Sequence, residues 1–118
     1  MRWAFDLDGV ITANPEFFKW WIYHLRSKRN RHLVYIITAR NPERLIETEA
    51  ELKFWGIQYD ELRFMEGDEP RTLEAQADWK VRMILDIMPQ VWVDNDFKIY
   101  EQACNIRTDI QGVTKIEI

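Results

Sequence analysis

The apolar positions of this chain fall into two kinds of run that take turns. Short, nearly unbroken apolar runs occur at residues 2 to 7, at "LVYII" (33 to 37), at "LRFME" (62 to 66) and at "VWV" (91 to 93). Runs of that kind predict strands buried on both faces. Between them lie segments whose apolar residues are three and four apart, as on one face of a helix: Phe18, Trp21, Ile22 and Leu25, then Val81, Leu85 and Met88 within residues 75 to 88. Two helix starts are signalled by the same order of cap, proline and acid, Asn14-Pro15-Glu16 and Asn41-Pro42-Glu43. The second of these helices runs toward Trp55 and stops at Gly56. "EGDEPRTLE" reads as a polar loop, residues 97 to 104 as a helix and "VTKIEI" as a last strand.

Strands alternating with helices predict βαβ units, and hence an α/β fold: one Rossmann-like three-layer domain over residues 1 to 118, with a mainly parallel sheet and helices on both faces. The length of 118 residues supports a single core, and a composition of 47% apolar and 14% aromatic residues is that of a compact globular chain. A formal charge of −4 excludes a protein that holds nucleic acid by bulk electrostatics. The basic run "RSKRNRH" (26 to 32) follows the first helix, where cations complement the helix dipole. With Cys104 as its one cysteine the chain has no internal disulfide and no multi-cysteine zinc site. No leader and no apolar stretch of membrane-spanning length stands out, so a cytoplasmic location is expected. Phe17 and Trp20 widen the apolar stripe of the first helix beyond what one sheet face needs. An aromatic-rich core helix accounts for most of this, and a homodimer through residues 15 to 27 is the partner contact it suggests.

In a sheet of this type the working groups lie beyond the carboxyl ends of the strands. Asp6 and Asp8 close the first strand, Thr38 the second and Asp94 the "VWV" strand, and Lys80 on the following helix can reach the same rim. In an extended segment residues i and i+2 share a side, so Asp6 and Asp8 are expected to repel one another. A cation or a retained proton relieves that repulsion, and both are of use in phosphoryl transfer, where one carboxylate attacks phosphorus and another protonates the leaving oxygen. A phosphate ester near an anionic nucleophile calls for a hard cation on oxygen ligands, most naturally Mg²⁺ anchored by Asp6 and Asp94. The Thr38 hydroxyl and the Lys80 ammonium are suited to the phosphoryl oxygens.

"FDLDGVIT", "YIITAR", Lys80 in "ADWKVRMI" and "VWVDND" resemble the four ordered motifs of the haloacid dehalogenase superfamily of phosphatases. The resemblance implies that Asp6 is the nucleophile, forming an aspartyl-phosphate. It implies that Asp8 is first the general acid and then the base, and that Thr38 and Lys80 bind the phosphoryl group. Mg²⁺ would be held by Asp6, the backbone carbonyl of Asp8 and Asp94, with either Asn95 or Asp96 in support. The 32 positions from Asp6 to Thr38 (38 − 6) and the 42 from Thr38 to Lys80 (80 − 38) are consumed by sheet, helix and loop. No cap domain is therefore expected, and an open site suits a large substrate.

The stretch from "LRFMEGDEPRTLEAQADWK" through "VWVDND" also resembles the 3′-phosphatase domain of polynucleotide kinases, in which an arginine-bearing loop precedes the lysine helix. That resemblance makes Arg71 a candidate contact for a substrate phosphate, with the acidic "EGDE" beside it opposing a polyanion. Arg40, Arg44, Arg82 and Lys98 are further cations expected near the active rim, Arg40 foremost as a substrate contact. The expected function is a Mg²⁺-dependent phosphohydrolase acting on a nucleic-acid 3′ end. The alternatives are a small-molecule phosphatase such as a nucleotidase, and a non-catalytic binding module of the same fold.

Overall fold

A computed structural model of the protein describes residues 1–67 and 71–118. Five strands form one sheet: β1 (Arg2–Asp6), β2 (Leu33–Thr38), β3 (Glu61–Phe64), β4 (Val91–Asp94) and β5 (Thr114–Glu117). Their order is β3-β2-β1-β4-β5, and every adjacent pair is parallel. The helices α1 (Pro15–Leu25), α2 (Leu45–Trp55), α3 (Leu73–Ile87) and α4 (Phe97–Cys104) supply the crossovers and the two outer layers.

Alternation along β1 sets the layers. Phe5 faces a core with Phe18 and Ile22 of α1 and Leu52 of α2, while its neighbour Ala4 faces Trp79 and Ile84 of α3 and Phe97 of α4. β4 repeats the division, with Val93 on the α1–α2 side and Trp92 on the other, where its ring meets Phe97 edge-on at 4.8 Å. Asp6 shares the parity of Ala4, and Asp94 that of Trp92. Both terminal carboxylates are thereby aimed at the α3–α4 layer.

Local chemistry accounts for the helix starts. Asn14 Oδ1 accepts from Phe17 N at 3.3 Å with Pro15 in the first helical position. Asn41 caps Glu43 N at 2.9 Å, but it opens a short 3₁₀ turn, Pro42–Arg44, from which α2 proper continues. α3 begins at Leu73, two residues before the expected start, because Thr72 Oγ1 takes the Ala75 N–H at 3.1 Å and turns the end of the polar segment into a cap. β3 spans Glu61–Phe64 and ends before the expected 66, although Met65 N still reaches Thr38 O at 3.0 Å.

On α1, Phe18 and Ile22 are buried, whereas Phe17, Trp20 and Tyr23 are each about half exposed, which places the surplus of the apolar stripe on the outside. No helix among the described residues is long and apolar enough to cross a membrane.

Candidate active site

The site is built on two adjacent strands. β1 and β4 pair in register through Phe5 and Val93, so the next residues, Asp6 and Asp94, leave the sheet side by side at its carboxyl rim. Both are buried, Asp6 to 3% exposure and Asp94 completely. From α3 the equally buried Lys80 reaches in, its Nζ 3.2 Å from Asp6 Oδ1 and 3.5 Å from Asp94 Oδ2. Tyr100 of α4 completes the cluster: its hydroxyl accepts from Lys80 Nζ at 2.8 Å and donates to Asp94 Oδ1 at 2.9 Å. Asp94 Oδ1 also takes the backbone N–H of Asn95 at 2.7 Å, while Asp94 Oδ2 is buried without a hydrogen-bond partner.

Two buried carboxylates against one ammonium leave an excess of negative charge. Burial, and then the neighbouring Asp94, push the Asp6 pKa up to about 8, with Lys80 opposing the rise. Burial by itself would lower the Lys80 pKa, but Asp6, Asp94 and Tyr100 together hold it above its ordinary value. Burial and Asp94 raise Tyr100 as well, keeping its hydroxyl protonated and able to donate. The cluster is therefore balanced by one more proton or by one more cation.

Asp8 belongs to a separate set. The chain turns sharply over residues 7 to 11, closed by Thr12 N to Leu7 O at 3.1 Å, and Gly9 there has φ +82°, a conformation that favours glycine. A Cβ at Gly9 would also stand only 3.0 Å from Asn95 Nδ2. This turn corrects the expectation that Asp6 and Asp8 repel across a shared side. The carboxylate crowding Asp6 is Asp94, and Asp8, 53% exposed, is gripped by Arg40. Arg40 Nη2 donates to Asp8 Oδ1 at 2.8 Å and Arg40 Nε to Asp8 Oδ2 at 3.1 Å, while Nη1 is held by Glu51 at 2.9 Å and Thr48 at 3.1 Å. Thr38, fully buried, donates to Asp8 Oδ2 at 3.3 Å and accepts from Arg40 N at 3.1 Å.

A cavity of about 310 Å³ joins the two sets, lined by Asp6, Asp8 and Lys80, by Asn95, Asp96 and Tyr100, and by Ala39, Leu73, Gln76 and Ile99. Of the expected site residues, Asp6, Asp8, Lys80 and Asp96 line it directly, Asp94 stands behind Lys80 and Tyr100, and Arg40 and Thr38 stand behind Asp8. Asp96 Oδ1 caps α4 by accepting from Ile99 N at 2.9 Å. Among the described residues there is no cluster of three acidic, histidine or cysteine side chains of the kind that encloses a metal. Asp6 and Asp94 Oδ2, which has the Lys80 ammonium at 3.5 Å but no hydrogen-bond partner, do supply hard oxygen donors where negative charge is in excess, which suits one hard cation held partly by other ligands.

Arg71 is placed differently from its expected part. Its guanidinium donates to the carbonyls of Ala39 at 2.8 Å and Met65 at 2.5 Å and is spent on tying the ends of β2 and β3 to the start of α3. Asp68 and Glu69 of "EGDE" lie outside the described residues. Arg44 pairs with Glu47, and Arg82 with Asp78, away from the cavity. Sequence reasoning missed Tyr100, whose only trace was its place three residues after Phe97 on the buried side of α4. Gln76, Leu73 and Ile99 left no chemical signal at all.

No family model matches the chain, and no curated protein does. Among solved structures, a chain in the "Structure of the Pnkp1/Rnl/Hen1 RNA repair complex" superposes with a TM-score of 0.68 at 13% identity, covering 99% of this chain and 42% of that one. At that identity the likeness is one of fold, and the present chain spans less than half the length of its neighbour.

Proposed function

We propose that the protein is a phosphohydrolase of the haloacid dehalogenase type that transfers the phosphoryl group of a polynucleotide 3′ end to Asp6 and then to water. The observation that carries this reading is the buried Asp6 carboxylate at the strand end, 3.2 Å from the Lys80 ammonium and crowded by Asp94, opening on a cavity that Asp8 also lines. The fold shared with a chain of an RNA repair complex supports the polynucleotide class of substrate.

Asp6 and Asp94, with the Asp8 carbonyl and Asp96 as further oxygen donors, would hold a Mg²⁺ ion, which would supply positive charge to the phosphoryl oxygens and to the two buried carboxylates. Asp6 passes its proton through the shared cavity to Asp8 and, as the carboxylate, attacks phosphorus as the bond to the leaving oxygen breaks, while Asp8 delivers that proton to the leaving oxygen. Asp8 then takes a proton from water, which attacks the aspartyl-phosphate and releases phosphate. Lys80 neutralises the phosphoryl oxygens and holds Asp6 in place, fixed in turn by Tyr100. Arg40 stands behind Asp8, where its fork and the Thr38 hydroxyl fix the Asp8 carboxyl at the edge of the cavity.

The test is Mg²⁺-dependent phosphate release from a 3′-phosphorylated oligonucleotide, a 5′-phosphorylated one and free nucleoside monophosphates. The first is expected to be preferred, and Asp6→Asn to lower turnover by about 10³-fold or more. Preference for the mononucleotides would establish the small-molecule phosphatase instead. Turnover surviving Asp6→Asn would remove the nucleophile, and no turnover of any ester would leave the non-catalytic module.

A further inference from the structure

The cavity changes character from floor to mouth, and its mouth has no part in the chemistry above. Leu73, Gln76 and Lys80 are at positions i, i+3 and i+7 of α3, one face of that helix, and all three line the cavity. The face thus descends from an apolar side chain through an amide to the buried ammonium. Ile99 on the adjoining α4 lines the same cavity, and α3 and α4 pack against each other. Leu73 and Ile99 are 46% and 44% exposed, large apolar side chains left half in water at the entrance to a charged site.

Their backbones are pinned. Leu73 follows the Thr72 cap, whose hydroxyl takes the Ala75 N–H at 3.1 Å, and the N–H of Ile99 itself is held by Asp96 at 2.9 Å. Gln76 Nε2 is fixed on Arg71 O at 2.7 Å. A volume of about 310 Å³ is more than a phosphoryl group fills and lies at the small end of the ~300–1,000 Å³ range of ligand sites.

We propose that Leu73 and Ile99 form a two-sided apolar clamp for the leaving group. They close on the ring system of the nucleoside that carries the phosphate, so that the site selects nucleoside phosphates over phosphates of small polar alcohols. The proposal rests on the phosphohydrolase reading for what sits on the cavity floor. The clamp contacts a part of the substrate that does not react, so it contributes binding shared by ground and transition states.

Leu73→Ser, Ile99→Ser and the double variant alter half-exposed positions and are expected to melt as the parent does. In an Asp6→Asn background with Mg²⁺ present, calorimetric titration with a 3′-phosphorylated dinucleotide is expected to show binding weakened by about tenfold in the double variant. Glycerol 2-phosphate, which has no ring, is expected to bind within about twofold of the parent. In the active background KM for the dinucleotide rises while kcat stays. Unchanged dinucleotide binding, equal weakening of both ligands, or failure of the dinucleotide to bind at all overturns the clamp. Clamp-dependent binding by a protein that releases no phosphate from any ester would overturn the phosphohydrolase reading and leave the clamp standing.

Discussion

Asp6 and Asp8 are two positions apart in sequence and live in opposite electrostatic worlds. Asp6 is buried at the floor of the cavity, where the sheet meets the α3–α4 layer and Lys80 is shared with Asp94, and its pKa is driven up to about 8 by burial first and Asp94 second. Asp8 is half in water, held by the Arg40 fork and the Thr38 hydroxyl. In the buried half, low polarizability makes each charge depend on every other, so removal of one partner strands the rest. In the other half Asp8 is 53% exposed, and the 8% exposed Arg40 keeps Glu51 and Thr48 when Asp8 is lost. Two copies of one side chain, two positions apart, thus receive different surroundings because the turn at Gly9 separates them, one buried with Asp94 and Lys80 and the other held by Arg40.

Removing the shared cation has the largest expected effect. Lys80→Met leaves Asp6 and Asp94 buried without it and is expected to destabilise the fold by about 3–5 kcal/mol in urea denaturation at pH 8. The loss should shrink on acidification as Asp6 takes up a proton. A loss independent of pH would mean that the two carboxylates do not share their charge.

The proton on Asp6 gives the next effect. Its pKa is raised from 3.8 to about 8 in the folded state, so the folded protein holds a proton that the unfolded chain has released. The stability that this supplies is present below about pH 4 and lost as the pH rises through 8. The difference in unfolding free energy between parent and Asp6→Asn should therefore change steadily over that interval, to the parent's disadvantage. Mg²⁺ should raise the parent's Tm more at pH 8 than at pH 6, and should do so neither in Asp6→Asn nor in Asp94→Asn.

Smaller effects sharpen the division. Tyr100→Phe removes the hydroxyl that links Lys80 to Asp94 and should cost about 1–3 kcal/mol, since it leaves Asp94 with one fewer donor in a dry site. Asp8→Asn should cost about 1–3 kcal/mol of stability, less than Lys80→Met because the buried Arg40 keeps Glu51, while abolishing most turnover. If Asp8→Asn destabilised the protein as much as Lys80→Met, the distinction between the two halves would be gone.

Much of this was legible beforehand, and what was not has a common cause. The unbroken runs at β1, β2 and β4 and the Asn-Pro-Glu starts of the first two helical segments are local patterns, and they appear where expected, as does the convergence of Asp6, Asp8, Lys80 and Asp94 on one rim. α3 started early because Thr72 looked like loop until its hydroxyl had an amide to cap. Arg71 looked free as a letter in a polar loop, but three stretches of chain meet around it and their carbonyls take its donors.

Local patterns along the chain suffice for the alternation of strand and helix, and through it for which residues stand at strand ends, because apolar periodicity and capping act over a few residues. Long-range packing places Asp6 against Asp94 and not Asp8, joins Tyr100 to Lys80, and brings Leu73 and Ile99 to one cavity. Those pairings depend on the register between β1 and β4 and on the packing of α3 on α4. Both are set by side-chain fit across distant segments, which no local pattern encodes.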